Sequence, residues 1–376
     1  MGVRRITIVA GTRPELIKIM PVLLALRARS DFQVSLVATA QHREMSDQVC
    51  AVFGVAPDVD LDLMRPGQTP AEVSARVTTA VQATLARQRP DAVLVHGDTT
   101  TCLASALAAF YEDIPTGHIE AGLRTYDFSA PWPEEMNRRL TDPICRWCFA
   151  PTDRAAANLR AERIPEERIF VTGNTVVDAL LLALRRVRAH PPSFPEVPEG
   201  LLDGRRLVLV TGHRRESFGE PLRELCAALR DLVHRHRDVV IVYPVHLNPS
   251  VLGPVNESLA GEERIRLVRP LDYLQFVTLL ERATLIVTDS GGIQEEAPTL
   301  RKPVLVTRRA TERPEAMERG LARLVGTSRE RIVAEASRLL EDPEAYASMT
   351  TGASPYGDGH AAERIVEVLA STLNRR

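Results

Sequence analysis

Short apolar runs rich in Val and Ile alternate along the chain with longer stretches whose apolar residues recur at helical spacing. The first series predicts strands at 6–9, 34–38, 92–95, 116–119, 146–150 and 168–171, with helices over 15–29, 71–87 and 99–111. A second series predicts strands at 207–210, 239–242, 264–268, 285–287 and 304–306, again with helical segments in between. Runs that are apolar throughout, rather than alternating, fit parallel strands covered on both faces. The pattern therefore predicts an α/β protein with two parallel sheets in succession. A helix over 176–188 and a proline-rich stretch over 190–198 separate the series, because four prolines in nine residues cannot continue a helix. The expected division is 1–173 plus 356–376 for the first domain and 174–355 for the second, with 174–200 as hinge helix and linker. An amphipathic tail after Pro355-Tyr356-Gly357-Asp358-Gly359, with Ile365, Val366, Val368 and Leu369 on its apolar side, is placed to return to the first domain.

Composition narrows the function classes. The 376 residues carry 47 Lys+Arg against 49 Asp+Glu, a net charge of −2, without the basic excess a nucleic-acid partner calls for. Five scattered cysteines are too few for a disulfide framework, so a reducing, cytoplasmic setting is expected. The five-residue apolar run before Gly11 is too short for a signal-peptide core or a membrane span, and Ile6 stands where N-myristoylation takes Ser or Thr. Cys145 and Cys148 have CxxC spacing but no partner pair at zinc-site distance, so structural cysteines and no metal are expected. His234 and His236, on different faces of a predicted helix, are expected to be solvated.

The chemistry gathers where predicted strands end, the edge at which parallel α/β sheets bind ligands. The first strand runs into Gly11-Thr12-Arg13-Pro14-Glu15, with Lys18 one turn on. A helix start attracts anions, and Arg13 and Lys18 would face a phosphate; taken alone, the segment reads more simply as a capped helix with exposed basic residues. Asp98 follows the third strand, Glu120 the fourth, and Glu134 sits in a stiff Pro-Trp-Pro-Glu-Glu loop. Three carboxylates on one sheet edge suggest proton transfer; each singly is explained as well by a cap or an ion pair. The second series offers His213 after its first strand, and Asp289-Ser290-Gly291-Gly292 ahead of a helix carrying Glu295 and Glu296. That Ser-Gly-Gly turn suits a pyrophosphate and Glu296 suits ribose hydroxyls, although Glu295 and Glu296 in a first turn are also what a plain helix prefers.

Taken in order, Gly-Thr-Arg-Pro-Glu at 11–15, Gln-His-Arg-Glu-Met at 41–45, His-Gly-Asp-Thr-Thr-Thr at 96–101 and Glu-Ala-Gly-Leu-Arg-Thr at 120–125 resemble the non-hydrolysing UDP-N-acetylglucosamine 2-epimerases. So do Pro-Trp-Pro-Glu-Glu at 131–135, Thr-Gly-Asn-Thr at 172–175, Gly-His-Arg-Arg-Glu at 212–216 and Tyr-Pro-Val-His-Leu-Asn-Pro at 243–249. Thr-Asp-Ser-Gly-Gly-Ile-Gln-Glu-Glu-Ala-Pro at 288–298, Thr-Glu-Arg-Pro-Glu at 311–315 and Pro-Tyr-Gly-Asp-Gly at 355–359 complete the series.

The resemblance implies two Rossmann-like domains of the glycosyltransferase-B type with substrate in the interdomain cleft. It also implies cofactor-independent interconversion of UDP-N-acetylglucosamine and UDP-N-acetylmannosamine, in a cytoplasmic homodimer without nucleic-acid or membrane partners. By motif position, Asp98, Glu120, Glu134 and His213 are the implied catalytic groups. Arg13, Lys18, Phe276, Ser290, Gly291, Gly292, Glu296 and Arg313 are the implied substrate ligands, together with Asp98, Glu120 and His213. Gln41, His42, Arg43 and His246 fall in segments linked to activation by a second substrate molecule. Three departures stand out: Leu271 where some relatives place Gln, Arg308-Arg309-Ala310 before Thr311, and Tyr126–Ala130 in place of a Gly-containing loop. A hydrolysing relative, a glycosyltransferase on the same scaffold, and a non-catalytic nucleotide-sugar sensor are the competing expectations.

Overall fold

A computed structural model of the chain describes residues 2–39, 43–65, 67–194, 196–198, 200–212, 218–311 and 313–373. The chain divides into two units, Met1–Leu182 with Tyr356–Arg376, and Ala183–Pro355. In the first unit the order is β1 (Arg4–Ala10), α1 (Arg13–Arg27), β2 (Phe32–Ala38), α2 (Arg43–Phe53), β3 (Val59–Asp60), α3 (Pro70–Gln88), β4 (Ala92–His96) and α4 (Thr100–Tyr111). It continues with β5 (Thr116–Ile119), α5 (Glu134–Thr141), β6 (Trp147–Ala150), α6 (Asp153–Ala161) and β7 (Ile169–Val171). Helix α7 (Thr175–Ala189) carries the chain out of this unit.

The second unit holds β8 (Arg206–Thr211), α8 (Glu220–Arg235), β9 (Val239–Pro244), α9 (Pro249–Leu259), β10 (Ile265–Val268), α10 (Tyr273–Arg282) and β11 (Ala283–Thr288). Then follow α11 (Gly291–Thr299), β12 (Val304–Val306), α12 (Pro314–Glu318), β13 (Ala322–Leu324), α13 (Arg329–Glu341) and α14 (Pro343–Thr350). The last helix, α15 (Ala361–Thr372), belongs to the first unit and packs on α1.

Each unit is one parallel sheet between helices: order β3-β2-β1-β4-β5-β6-β7 in the first and β10-β9-β8-β11-β12-β13 in the second. The strands are apolar on both faces because both faces are covered; Ile6, Ile8, Val93, Leu94, Val208 and Leu209 are all buried. Strand order reverses between β1 and β4, and again between β8 and β11. At such a reversal the crossover helices leave toward opposite faces, opening a crevice at the carboxyl ends of the two strands.

The structure adds two strands that the apolar pattern did not predict. β3 is a two-residue edge, in register through Val37↔Val59, and β13 an edge of three. Both are too short to carry a recognisable run. His236 departs from the expected solvated role: it closes α8, is buried, and its Nε2 meets the Ser337 hydroxyl at 2.9 Å. Its partner lies 101 residues away, beyond any local pattern. His234 is exposed beside Glu262. Cys145 and Cys148 are buried free thiols.

Gly122, just past β5, has φ +84°, and a Cβ there would lie 2.3 Å from the carbonyl oxygen of Ala155. Backbone cannot yield as a side-chain tip can. Gly122→Ala is expected to destabilise the protein by about 2–4 kcal/mol in urea denaturation. An unchanged midpoint would contradict this close packing.

Candidate active site

The turn after β1 is built by close packing and a capping box. A Cβ on Gly11 would stand 2.6 Å from the Thr101 hydroxyl and 2.7 Å from that of Thr39, so only glycine fits. Thr12 caps α1, and the Glu15 carboxylate accepts from the Thr12 amide at 2.6 Å and the Gly11 amide at 3.1 Å. Glu15 also accepts from the Thr99 hydroxyl at 2.6 Å, and Thr99 in turn caps α4. One carboxylate thus joins the helix starts that flank the β1/β4 crevice. Burial pushes the Glu15 carboxyl above its usual range, and these hydrogen bonds oppose the rise. Within the motif Gly-Thr-Arg-Pro-Glu, sequence reasoning stressed Arg13 and missed this role of Glu15.

Glu120 is the most constrained of the predicted carboxylates. It follows β5 with φ +71°, a left-handed backbone uncommon for a non-glycine residue and frequent at functional sites. Its side chain is almost wholly buried, and Oε2 is engaged by the Lys18 ammonium and by Asn174 Nδ2, the latter at 3.0 Å. His96 Nε2 lies 3.7 Å from the same oxygen. Lys18 was expected to face a phosphate. The structure buries it in α1 against a carboxylate, where the low-polarity surroundings strengthen the pairing. Among the described residues, neither ring nitrogen of His96 has a hydrogen-bond partner, and burial holds its imidazole down at about 4, with Glu120 opposing the effect and the Lys18 charge adding to it. His96 is therefore neutral at physiological pH.

Asp98 follows Gly97, whose φ is +72°, at the end of β4. Its carboxylate pairs with the Arg138 guanidinium, and its carbonyl accepts from Asn137 Nδ2 at 2.9 Å, so α5 holds it from two successive residues. In the Glu pair, Glu135 is the buried member. It accepts from the Thr125 and Tyr126 amides, each at 3.0 Å, and pins the loop in which Tyr126 takes φ +60°. Glu134, in the first turn of α5, remains half-buried.

His118 lies between two acceptors, Asp142 at 2.6 Å and the Gly97 carbonyl at 2.7 Å, and so ties the Asp98 turn to the far end of α5. Burial alone would raise the Asp142 carboxyl, but His118 and Arg124 hold it below the usual range. Arg124, four residues past Glu120, clamps Asp142 at 2.6 Å and Glu162 at 2.7 Å.

In the second unit, Ser290 begins α11 without using its hydroxyl as a cap, and its amide donates to the Thr288 hydroxyl at 2.9 Å. Gly291 and Gly292 form the first turn, where unpaired amides favour an anion. Glu296 is buried and accepts from the Tyr273 hydroxyl at 3.1 Å, while Arg313 Nε donates to Glu295 at 2.7 Å. Phe276 is half-buried near the start of α10. His246 is exposed, and its Nδ1 accepts from the Asn248 amide at 3.1 Å. Arg13 is the first residue of α1. Gln41, His42 and His213 lie outside the described residues, as does the side chain of Arg43. Among the described residues, no three His, Cys, Asp or Glu side chains are grouped to hold a metal ion.

A sequence profile described as UDP-N-acetylglucosamine 2-epimerase matches residues 24–370. The chain is 51% identical to the UDP-N-acetylglucosamine 2-epimerase of Salmonella typhimurium over 98% of each chain. It is 50% identical to that of Escherichia coli K12 over 97% and 98% of the two chains. Its fold superposes with a TM-score of 0.92 on the Neisseria meningitidis UDP-GlcNAc 2-epimerase solved with UDP-GlcNAc bound, at 43% identity over 98% of this chain and 100% of that one. The Methanocaldococcus jannaschii UDP-GlcNAc 2-epimerase, solved with UDP-GlcNAc and UDP, gives a TM-score of 0.82 at 33% identity over 97% and 99%. MurG of Acinetobacter baumannii shares the fold alone, with a TM-score of 0.59 at 14% identity over 98% and 100%.

The state of His96 has a measurable consequence. Its folded value, about 4, lies below the unfolded value of 6.5, so the unfolded chain takes up the proton first as pH falls. The stability this neutral histidine contributes is complete above pH 6.5 and is lost as pH falls toward 4. Across that window the wild type should lose about 3 kcal/mol more unfolding free energy than His96→Gln. Parallel stability curves for the two proteins would contradict a buried neutral His96.

Proposed function

The chain belongs to the UDP-N-acetylglucosamine 2-epimerase family, and on that premise we propose that it is an isomerase interconverting UDP-N-acetylglucosamine and UDP-N-acetylmannosamine without net hydrolysis. The observation that carries this reading is Glu120, a carboxylate in left-handed backbone at the sheet edge, buried against the Lys18 ammonium. A structural ion pair needs no such backbone strain. The chemistry does need a carboxylate whose position and charge are fixed before substrate arrives.

Inversion at C2 begins with loss of a weakly acidic proton. Its removal by a carboxylate is coupled to cleavage of the C1–O bond anti to it; the electron pair leaves on UDP, and a C1=C2 double bond remains in a 2-acetamidoglucal. UDP then adds back at C1 while C2 takes a proton on the opposite face. Asp98, Glu120 and Glu134 are the proton-transfer groups in this scheme, and His213 stands near the pyrophosphate. Amides at the start of α11, with Ser290, Arg13 and Arg313, stabilise the leaving diphosphate, because charge developing there meets dipoles already in place. Phe276 stands at the uracil and Glu296 at the ribose. We also assign activation by a second substrate molecule to the segments holding Gln41, His42, Arg43 and His246, on the support of motif positions in the sequence, and pairing of two copies, on the support of family resemblance alone. The buried free thiols are in keeping with a cytoplasmic setting.

Incubated with UDP-N-acetylglucosamine in heavy water, the protein should place one deuterium at C2 of both epimers while free UDP stays at catalytic levels. Free N-acetylmannosamine accumulating in step with UDP would instead show a hydrolase, and epimerisation without label would exclude C2 deprotonation. Glu120→Gln and Asp98→Asn should each lower kcat by about 10²- to 10⁴-fold while UDP binding remains measurable. Full activity in either variant would remove that carboxylate from the reaction.

A further inference from the structure

The chain leaves the first unit along α7 and re-enters it at Tyr356, and Asn174 is one of the residues at which the two passages meet. Asn174, in the turn between β7 and α7, is buried and uses three groups at once. Its backbone amide donates to the Tyr356 carbonyl at 2.7 Å. Its side-chain Oδ1 accepts from the Val176 amide at 3.0 Å, fixing the start of α7. Its Nδ2 donates to Glu120 Oε2 at 3.0 Å, 54 residues away in sequence. With Oδ1 bound to an amide and Nδ2 to a carboxylate, the side chain has one orientation only.

The crossing beside it is backbone against backbone. A Cβ on Gly357, whose φ is +123°, would stand 3.3 Å from Gly173 Cα and 3.5 Å from the Asn174 amide nitrogen. Gly173 itself has φ +90°. Two glycines thus bring the re-entering segment against the turn that aims Asn174. Asp178 of α7 accepts from the Ala361 and Ala362 amides at 3.3 and 2.8 Å, and Arg364 of α15 donates to the Thr172 carbonyl at 3.1 Å. The crossing therefore has a single geometry. A displacement of either passage reaches Glu120 through one side chain.

We propose that Asn174 is a positioning residue for the epimerase reaction: it sets the Glu120 carboxylate from the re-entry crossing of the chain. The proposal rests on the reading of Glu120 as a proton-transfer group. Asn174 acts through Glu120, so its loss affects turnover rather than nucleotide binding.

Two variants test it, assayed for kcat, KM, UDP affinity, thermal midpoint and C2 deuterium uptake. Asn174→Asp keeps the side-chain outline and the acceptor for Val176, but turns a donor into an oxygen facing a carboxylate. Its kcat and C2 exchange should both fall about 10- to 100-fold, the range for a hydrogen bond to a charged group. KM and UDP affinity should stay within about threefold of wild type, as for an interaction made in the transition state rather than in uniform binding. Gly357→Ala touches neither Glu120 nor any nucleotide ligand. It strains the crossing and should lower kcat about 5- to 10-fold with KM again unchanged. Should Asn174→Asp fail to fold, Asn174→Ser, too short to reach Glu120, takes its place with the same expectation. Retained kcat in the Asn174 variant overturns the proposal, and so does a KM rise at constant kcat in either variant. A wild-type protein that takes up no deuterium at C2 overturns the reading beneath it, a result distinct from both.

Discussion

The candidate site of the first unit depends on one of its buried charge pairs, Lys18 with Glu120. Taking an ammonium and a carboxylate out of water costs several kcal/mol per ion, which only close pairing and further hydrogen bonds offset. The structure supplies both: Asn174 adds a donor to the same oxygen, and neutral His96 stands by without adding a competing charge. An arrangement this costly fixes the position of one carboxylate at the carboxyl edge of a parallel sheet. The folding energy it uses could have gone to an apolar core.

Everything around the pair keeps its frame rigid. Glu15 joins the starts of α1 and α4, so Lys18 on α1 and Asp98 in the turn before α4 flank helix starts that share one carboxylate. His118 ties the Gly97 turn to Asp142, which Arg124 clamps in turn. Glu135 and Arg138 fasten α5 to both the Asp98 turn and the loop at Thr125–Tyr126. Much of the buried charge in this unit thus serves placement, and Asp98, Glu120 and Glu134 are left as the carboxylates at the strand and loop ends. Ser290 and the glycines of α11 provide the corresponding edge in the second sheet, with amides rather than ions.

How much of this the sequence revealed follows from the range of each signal. Strands buried on both faces show as unbroken apolar runs, and caps such as Thr12 with Glu15 are local, so the two sheets and most helix starts were legible. The edge strands β3 and β13, two and three residues long, were not, because their pairing depends on a neighbouring strand rather than on their own pattern. The carboxylates stood out because strand ends are where such folds bind ligands. Their partners did not: Lys18 meets Glu120 across 102 residues and Thr99 meets Glu15 across 84. A lysine one turn into a helix that follows a glycine turn reads as a phosphate ligand, and its pairing with Glu120 shows only once the strand order brings the two together. His236 was misplaced for the same reason.

The most direct test is a double-mutant cycle on the pair, using Lys18→Met, Glu120→Gln and the combination, with unfolding free energies measured at pH 7.5. If Lys18 is what holds the buried Glu120 carboxylate in place, each single change should destabilise the protein and the double variant should recover much of the loss, giving a coupling of about 3–5 kcal/mol. A coupling near zero would mean that the two charges do not depend on each other, and the account of the site would fail with it.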